Sequence, residues 1–252
     1  MIPADTGLSQ ARALVKDPNR DPLPSDQELA NQIKLGYQTM VDTPGQAGKY
    51  TGNELSCTNC HLNAGQKDKS LPLTVSRSIS RSTALVKDGS SRWKTGFVVA
   101  SCEGKTAPCL PTIARNRWRS RRTSPGYRTG KPVGQTPPWV HQNTIAKENV
   151  LPQDKLDPGQ GKQLYDQECA ACHGPDGQGL QLAQVKPGPL WGPKSWNDGA
   201  GLARVQTLAG FIRYAMPLSA PGSLTDEQAQ QTVAFIDSQP RPHFEQQPSN
   251  TC

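Results

Sequence analysis

The chain has few apolar residues, few aromatic residues and no long apolar run. Its 252 residues are 34% hydrophobic and 6% aromatic, whereas typical soluble domains reach roughly 45–50% apolar content in a count that includes glycine. No stretch approaches the roughly 18 consecutive apolar residues of a membrane-spanning helix, which excludes an integral membrane protein. Glycine and proline are abundant, with 23 residues each, so the sequence predicts many loops around small cores.

Acidic residues are scarce in one segment, and this segment alone makes the chain basic. Residues 75–128 contain 12 of the 28 Lys and Arg residues but 2 of the 21 Asp and Glu residues. The rest of the chain has 16 basic and 19 acidic residues. A nucleic-acid-binding domain combines its basic charge with aromatic or recognition elements, and this segment has no such pattern. We therefore expect no nucleic-acid partner and regard the segment as anomalous.

The cysteines carry the chemistry of the sequence. The motif Cys-x-x-Cys-His occurs twice, 112 residues apart, and its functional residues are Cys57, Cys60, His61, Cys169, Cys172 and His173. This pattern is typical of covalent haem c attachment. Two thiols three residues apart can add to the two vinyl groups of one porphyrin, and the adjacent imidazole then binds the iron. The sequence therefore predicts two haem c groups, with His61 and His173 as proximal iron ligands.

Two other uses of these cysteine pairs stay open from the residues alone. A zinc site needs its two Cys-x-x-Cys pairs roughly 12–20 residues apart, far closer than the 112 residues found here. A thioredoxin-like dithiol needs a βαβ context, which the sequence does not predict. Both uses are less favoured than two haems.

Helical periodicity around both motifs predicts an all-α fold of two cytochrome c-like domains. Before the first motif, Ser25 and Glu28 form a predicted capping box for a helix whose apolar stripe includes Met40. We interpret Met40 as core packing rather than as an iron ligand. In the second half, helices are predicted through Leu164 and Tyr165 into Cys169, from about Gly201 to Tyr214, and from Thr225, capped by Gln228, to Pro240.

The same pattern predicts the organisation of the chain. Proline- and glycine-rich stretches separate the two helical regions, which is typical of linkers. The predicted segments are a lead-in at 1–24, a first domain at 25–131 with the anomalous segment 75–128, a linker at 132–158, a second domain at 159–242 and a tail at 243–252.

The second haem needs a sixth iron ligand, and Met216 is the predicted one. It is one of three methionines in the chain and follows His173 by 43 residues. Pro217 ends the preceding predicted helix. A thioether opposite an imidazole raises the reduction potential of a haem, which suits electron transfer. His141 and His243 lie in proline-rich loops, so we expect them to be solvated.

Several stretches of the sequence resemble the dihaem thiosulfate dehydrogenases. The resemblance covers roughly residues 25–74 and 129–242, and the stretches that carry it read CTNCHLNAG, PVGQ, PLWGP, FIRYAMP and SQPRP. It implies a periplasmic enzyme that joins two thiosulfate anions into tetrathionate and passes two electrons through two haems. It also implies that His61 and His173 are proximal ligands and that Met216 is the distal ligand of the second haem.

One feature of that family is missing from the chain. The family binds its catalytic haem through a cysteine thiolate in the motif Glu-Asp-Arg-Ile-Asn-Gly-Cys, and no such string occurs here. Cys102 lies in a different context and is a minor candidate for this ligand. Cys102 and Cys109 can pair with each other or remain free, and Cys252 is expected to be exposed and uninvolved. The distal ligand of the first haem is therefore open.

The anomalous segment is consistent with a stretch of gene read out of frame. If each codon takes the last base of one residue and the first two bases of the next, Trp93 and Lys94 together encode Glu. The next positions permit Asp-Arg-Ile, then Arg or Cys, then Gly-Cys, and residues 117–128 permit an amphipathic helix. We hypothesise two compensating frameshifts near residues 74 and 128. The alternative is a genuine basic surface insertion.

Three functions stay open from the sequence. They are a dihaem thiosulfate dehydrogenase, a dihaem electron carrier without its own catalysis, and a frameshifted product without a working active site. The missing cysteine motif favours the second or the third. The expected partners are a small inorganic sulfur anion and a cytochrome or other electron acceptor.

The expected compartment is the bacterial periplasm or an equivalent oxidising space, because covalent haem attachment takes place there. The sequence does not start with basic residues followed by an apolar stretch, so it shows no secretory signal. We therefore expect a signal peptide that has been removed or a gene start that has been clipped.

Overall fold

The computed structural model describes residues 1–48, 51–73, 142–182 and 185–244. The predictions for segment 75–128, for Cys102 and Cys109, and for His141 and Cys252 lie outside these residues. The described residues form helices and no β-strand, so the predicted all-α class is confirmed. None of the helices in this part of the chain has the length and apolar character needed to cross a membrane.

The first unit, defined here as residues 1–73, is built around one long helix. Its helices are α1, Leu8–Leu14, α2, Gln27–Val41, α3, Thr43–Ala47, and α4, Leu62–Gly65. Helix α2 begins after Asp26, whose carboxylate accepts the Leu29 N–H at 3.1 Å. The predicted cap at Ser25 is therefore wrong by one residue. Ile33 and Met40 on the predicted stripe are buried, in agreement with core packing for Met40.

The N-terminal residues 1–24 pack on the loop that follows the first cysteine motif. The Ile2 N–H donates to the Gln66 carbonyl at 2.8 Å. The ammonium of Lys67, whose side chain is buried, donates to the Thr6 carbonyl at 3.1 Å. Burial lowers the pKa of Lys67. The N-terminal residues therefore stabilise the loop that follows the first cysteine motif through hydrogen bonds.

The described part of the second unit, defined here as residues 142–244, contains four α-helices. They are α5, Pro158–Glu168, α6, Ala170–His173, α7, Val205–Ala215, and α8, Asp226–Asp237. Helix α8 begins after Thr225, which forms the predicted reciprocal capping box with Gln228. The helix predicted at 201–214 is divided, because a 3-10 turn at Gly201–Ala203 precedes α7 and the extended Arg204 separates the two.

Helices α5, α7 and α8 enclose the main hydrophobic core. Tyr165, Ala209 and Val233, one from each helix, are completely buried. The rings of Tyr165, Trp191 and Phe235 pack together with centroids 5.3 to 5.6 Å apart. Such tilted aromatic pairs contribute about 0.5–1.5 kcal/mol each beyond their buried area, so this cluster fixes α5 against α8 next to the second cysteine motif.

Residues 142–157, part of the predicted linker, are tied to α8 by buried glutamine side chains. The amide oxygen of Gln230 accepts the Leu151 N–H at 2.8 Å. The amide oxygen of Gln231 accepts the Asp157 N–H at 2.7 Å. This part of the predicted linker therefore packs as a portion of the second unit.

Gly161 lies where α5 meets α8, and a side chain there has no room. A methyl group on Gly161 would lie 2.0 Å from the Gln231 carbonyl oxygen and 2.9 Å from the Phe235 Cβ. We predict that Gly161→Ala lowers the free energy of unfolding by about 1–3 kcal/mol, because overpacking forces the helices apart. Gly201→Ala is the control, since no atom of the residues that the structure describes lies within 4 Å of its added methyl group. Chemical denaturation of both variants measures the effect, and equal stability would contradict this packing.

Candidate functional site

Each cysteine motif forms one helical turn. The His61 N–H donates to the Cys57 carbonyl at 2.9 Å, and the His173 N–H donates to the Cys169 carbonyl at 2.9 Å. These bonds join residues four apart, as in an α-helix, so the first cysteine and the histidine lie on the same face of the turn. The second cysteine, three residues after the first, shares that side. Both motifs thus present two thiols and one imidazole from a single turn.

The first motif is held by polar side chains that precede it and lie within it. The Ser56 N–H donates to the Asn59 amide oxygen at 2.7 Å, and the Ser56 hydroxyl completes a reciprocal cap with the Asn59 N–H. The Thr43 hydroxyl oxygen accepts the Cys57 N–H at 3.0 Å and lies 3.3 Å from the Cys57 sulfur. The first residue of α3 therefore positions the first thiol.

The imidazole of His61 is oriented by a backbone carbonyl. Its Nδ1 lies 2.5 Å from the Leu71 carbonyl oxygen. Burial lowers the pKa of His61, and the Leu71 carbonyl acts in the opposite direction. A neutral ring that donates its Nδ1–H to Leu71 keeps an unprotonated Nε2. This hydrogen bond assigns the tautomer, and it is the form in which histidine binds a metal.

Tyr165 fixes both ends of the turn in the second motif. Its carbonyl accepts the Cys169 N–H at 2.9 Å, and its hydroxyl donates to the Gly174 carbonyl at 2.6 Å. Burial raises the pKa of this hydroxyl, so it stays protonated and remains a donor. Gly174 has a φ of 75°, which glycine adopts without strain. The chain can therefore turn away directly after His173.

The imidazole of His173 differs from that of His61 in its hydrogen bonding. Burial lowers the pKa of His173, and the backbone of Gly188 acts in the opposite direction. The buried Nδ1 has no hydrogen bond of normal geometry to any residue that the structure describes. Like His61, His173 is kept neutral by burial, which suits a metal ligand.

The four motif cysteines are free thiols, of which Cys172 is exposed and the others are half-buried. Burial raises the pKa of the Cys169 thiol to about 12, and Glu168 adds to the effect. The described residues contain no group of three or more His, Cys, Asp or Glu side chains placed to hold a metal ion. The two cysteine pairs therefore form no such group with each other in the described part of the chain.

Met216 lies at the end of α7, where its N–H donates to the Ile212 carbonyl at 3.1 Å. Its half-buried side chain packs on the core that Cys169 also contacts. The structure therefore brings the predicted distal ligand and the second motif to the same hydrophobic cluster. His243 is 79% exposed and pairs with Asp198 at 2.6 Å, in agreement with its expected solvation.

A second set of functional candidates consists of buried polar atoms without partners among the described residues. They are Trp196 Nε1, both amide atoms of Asn197, and Arg241 Nη1. The guanidinium of Arg241 lies 4.9 Å from the ring centroid of Trp196, and its Nη2 donates to Asp237 at 3.0 Å. Leaving such groups unbonded costs about 1–3 kcal/mol each. The Trp196 indole N–H, the Asn197 amide N–H and the Arg241 guanidinium are donors that suit a carboxylate, whereas the Asn197 amide oxygen is an acceptor and needs a donor.

This polar group is connected to the second motif through the backbone. The Leu190 N–H donates to the Gly177 carbonyl at 2.8 Å, in the loop after the motif. The Gly192 N–H donates to the Pro240 carbonyl at 2.7 Å, next to Arg241. Sequence reasoning missed the group because its members belong to no spaced motif and meet only through tertiary structure.

The two units pack against each other beside their motifs. The exposed Lys194 and Glu54 form an ion pair at 2.6 Å, and the Asn59 amide donates to the Lys186 carbonyl at 3.0 Å. The first-unit residues that pack into the core of the second unit are Leu55, Cys60, Leu62 and Leu71. The two predicted haem sites therefore share one hydrophobic cluster.

The second unit is similar to a known cytochrome family. Residues 157–236 match the family described as "Cytochrome C oxidase, cbb3-type, subunit III". This match contains the second cysteine motif and Met216, and it ends within α8. The helical arrangement around this motif is therefore that of a c-type cytochrome domain.

Two relatives are similar over most of the chain. The thiosulfate dehydrogenase of Stutzerimonas stutzeri (strain A1501) is 35% identical over 240 residues, which cover 94% of this chain and 76% of the relative. The thiosulfate dehydrogenase of Allochromatium vinosum is 32% identical over 239 residues, which cover 88% of this chain and 82% of the relative.

A solved structure extends the similarity to three dimensions. It is the as-isolated form of thiosulfate dehydrogenase (TsdBA) from Marichromatium purpuratum, which superposes with a TM-score of 0.69 at 26% identity. The superposition covers 97% of this chain and 53% of that chain, so the present chain spans about half the length of the solved one.

The hydrogen bond between Tyr165 and Gly174 gives a direct test of how the second motif is held. We predict that Tyr165→Phe lowers the free energy of unfolding by about 1–3 kcal/mol, because the Gly174 carbonyl loses its buried donor. Tyr214→Phe is the matched control, since Tyr214 contacts its neighbours through its ring face. Denaturation of the mature protein, followed by absorbance and circular dichroism, measures both variants. A Tyr165→Phe variant as stable as the control would show that the hydroxyl does not hold the turn.

Proposed function

The chain belongs to the thiosulfate dehydrogenase family, and on this premise we propose that it is a periplasmic dihaem cytochrome c whose electron transfer is linked to the oxidation of thiosulfate to tetrathionate. As a c-type cytochrome it carries covalently bound haem c. The observation that carries the proposal is the repeated turn. In each motif the backbone N–H of the histidine donates to the backbone carbonyl of the first cysteine at 2.9 Å. Two such turns support a count of two haems.

The proposed reaction joins two thiosulfate dianions through one new sulfur–sulfur bond. Two electrons leave the sulfur atoms and pass to a separate redox partner, a cytochrome or another electron acceptor. Each haem, when bound, supplies a one-electron couple whose potential is set by its axial ligands and their surroundings. The chain contributes the thiols, the imidazoles and the buried surroundings that hold these couples in place.

At the first site, we propose that Cys57 and Cys60 attach the haem and that His61 binds the iron through Nε2. The support is the 2.5 Å contact between His61 Nδ1 and the Leu71 carbonyl oxygen, which leaves Nε2 as the free ring nitrogen. Such a carbonyl partner fixes the ring orientation and raises the basicity of the ligand.

At the second site, we propose that Cys169 and Cys172 attach the haem and that His173 and Met216 bind the iron. Burial keeps His173 neutral, and Met216 packs on the same cluster as Cys169. Both residues thus have the chemical form and the neighbourhood that ligands need. A histidine and methionine pair raises the haem potential, which suits a site that passes electrons onward.

We assign Trp196, Asn197 and Arg241 to the carboxylate groups of the second haem. Haem carries two carboxylates, and a carboxylate placed inside a protein needs donors and a positive charge. The donors of these three residues that lack partners among the described residues, Trp196 Nε1, Asn197 Nδ2 and Arg241 Nη1, supply that combination. The backbone bonds from Leu190 and Gly192 connect them to the loop after the second motif.

One observation favours a second candidate function, that of a dihaem electron carrier without its own catalysis. The chain lacks the cysteine motif that the resemblance implies for the catalytic haem. A haem that lacks the thiolate ligand can still exchange electrons. Thiosulfate oxidation, in contrast, would lose the sulfur-ligated iron at which this family reacts with its substrate. The out-of-frame hypothesis for segment 75–128 explains the missing motif.

Met216 gives the sharpest spectroscopic test of the second site. We predict that Met216→Ala abolishes the sulfur-to-iron charge-transfer band and lowers the potential of that haem, because a thioether stabilises ferrous iron relative to harder ligands. Met40→Ala is the matched control, since Met40 is a buried core residue of the first unit. An unchanged band and potential in Met216→Ala would reject Met216 as the ligand.

Thiosulfate turnover tests the catalytic part of the proposal. We predict that the chain as written oxidises thiosulfate poorly, and that restoring the frame of segment 75–128 raises tetrathionate formation by more than about tenfold, the lower end of what lost supporting groups cost a metal site. The gene sequence shows whether insertions or deletions near codons 74 and 128 exist. If the unrestored protein works at the restored rate and Cys102→Ala abolishes that rate, the segment is a functional insertion.

A further inference from the structure

Between the two units, a short segment of the first unit makes two kinds of contact. The segment is Lys69–Leu71, and the Leu71 carbonyl oxygen lies 2.5 Å from Nδ1 of His61. The ammonium of Lys69 lies 4.7 Å from the ring centroid of Tyr214, at the end of α7 in the second unit. The residue that orients the proximal histidine of one site is therefore two positions from a residue held by the other unit.

Two residues of this segment have positive φ angles, which are unusual for residues other than glycine. Lys69 has a φ of 53° and Leu71 a φ of 51°. Residues other than glycine rarely adopt such values, and they persist where the surroundings impose them. Local bonds within the first unit join Asp68 to the Lys69 N–H and to the Ser70 hydroxyl at 2.9 and 3.1 Å. The contacts that the second unit contributes are the Tyr214 ring at Lys69 and apolar packing at Leu71.

Those contacts act on both ends of the segment. The side chain of Leu71 packs on the core formed mainly by the second unit. Lys69 and Tyr214 are both half-buried, and a cation over an aromatic face gains strength as water is excluded. Leu71 is thus held by apolar packing and Lys69 by an aromatic ring. The carbonyl that contacts His61 belongs to Leu71, the last residue of the segment.

The Tyr214 ring is itself well fixed. Its neighbour Arg213 lies 5.2 Å from the ring centroid, and the Arg213 side chain donates to Asp226 at 2.7 Å and to the Gly222 carbonyl at 2.8 Å. Tyr214 is also two residues before Met216 on the last turn of α7. The ring therefore contacts the segment that orients the proposed histidine ligand of the first site, and it lies two residues before the proposed methionine ligand of the second.

We propose that Tyr214 is a positioning residue for the first haem. Through Lys69 it holds the Lys69–Leu71 segment so that the Leu71 carbonyl accepts the Nδ1–H of His61. This rests on the proposed role of His61 as an iron ligand. When the Leu71 carbonyl accepts the Nδ1–H, the imidazole becomes a stronger donor to iron. By holding this carbonyl in place, the second unit lowers the reduction potential of the first haem.

The test uses the mature protein and two pairs of variants. At Tyr214 the pair separates the effect of the aromatic ring from that of the hydroxyl, and at Lys69 it separates the effect of the positive charge from that of the long side chain. Tyr214→Leu and Lys69→Met remove the contact between the cation and the ring. Tyr214→Phe and Lys69→Arg keep it and serve as matched controls. Spectroelectrochemistry follows the two haems separately, because the haem bound by Met216 is marked by its sulfur-to-iron band.

We expect Tyr214→Leu and Lys69→Met each to change the reduction equilibrium of the unmarked haem by about threefold. This corresponds to a potential higher by about 30 mV, at 59 mV per tenfold change for a one-electron couple. The Nδ1 proton of His61 should also exchange faster with solvent in both variants, as seen by NMR. The double variant should shift no further than either single variant, and the two controls should match the wild-type protein.

Two results would overturn the inference while the proposed function stands. One is an unmarked haem whose potential and Nδ1 proton exchange do not change in Tyr214→Leu and Lys69→Met. The other is a shift confined to the haem marked by Met216, which would make Tyr214 a local neighbour of that ligand. A wild-type protein without haem on Cys57 and Cys60 would instead contradict the proposed function, and with it the inference.

Discussion

A single helical turn that carries two thiols and an imidazole is the constraint on which both units depend. The first cysteine and the histidine must be four residues apart on one face, and the 2.9 Å bonds to Cys57 and Cys169 impose this spacing. The histidine must also be neutral to bind iron, and burial in a hydrophobic core next to the turn favours the neutral form. One shared hydrophobic cluster supplies that core beside both turns, and in the second unit Gly174 turns the chain away directly after the histidine.

The two units meet this constraint with different side chains. In the first unit, Thr43 and Asn59 hold the start of the turn and the Leu71 carbonyl orients the ring. In the second, Tyr165 bonds to both ends of the turn. Because apolar residues of the first unit pack into the core of the second, the two turns belong to one structure, and a change at one site can reach the other through packed side chains.

Much of this organisation could be predicted from sequence because it depends on local spacing. The motif turns, the Thr225 cap and the burial of Met40 all follow from residues a few positions apart. The cap of α2 is Asp26 rather than the predicted Ser25. Both residue types are good N-caps, and the sequence alone does not tell at which of two neighbouring residues the helix begins. The group at Trp196 and Arg241 could not be predicted, since its members come together only when the loop after the second motif meets the end of the chain described here.

The central claim is that both motifs carry haem, and intact-mass and peptide mass spectrometry of protein matured in a host that attaches haem c tests it most directly. The account predicts two haem groups per chain, one on the peptide with Cys57 and Cys60 and one on the peptide with Cys169 and Cys172. A chain with no covalent haem, with zinc in its place, or with haem on one peptide alone would contradict it.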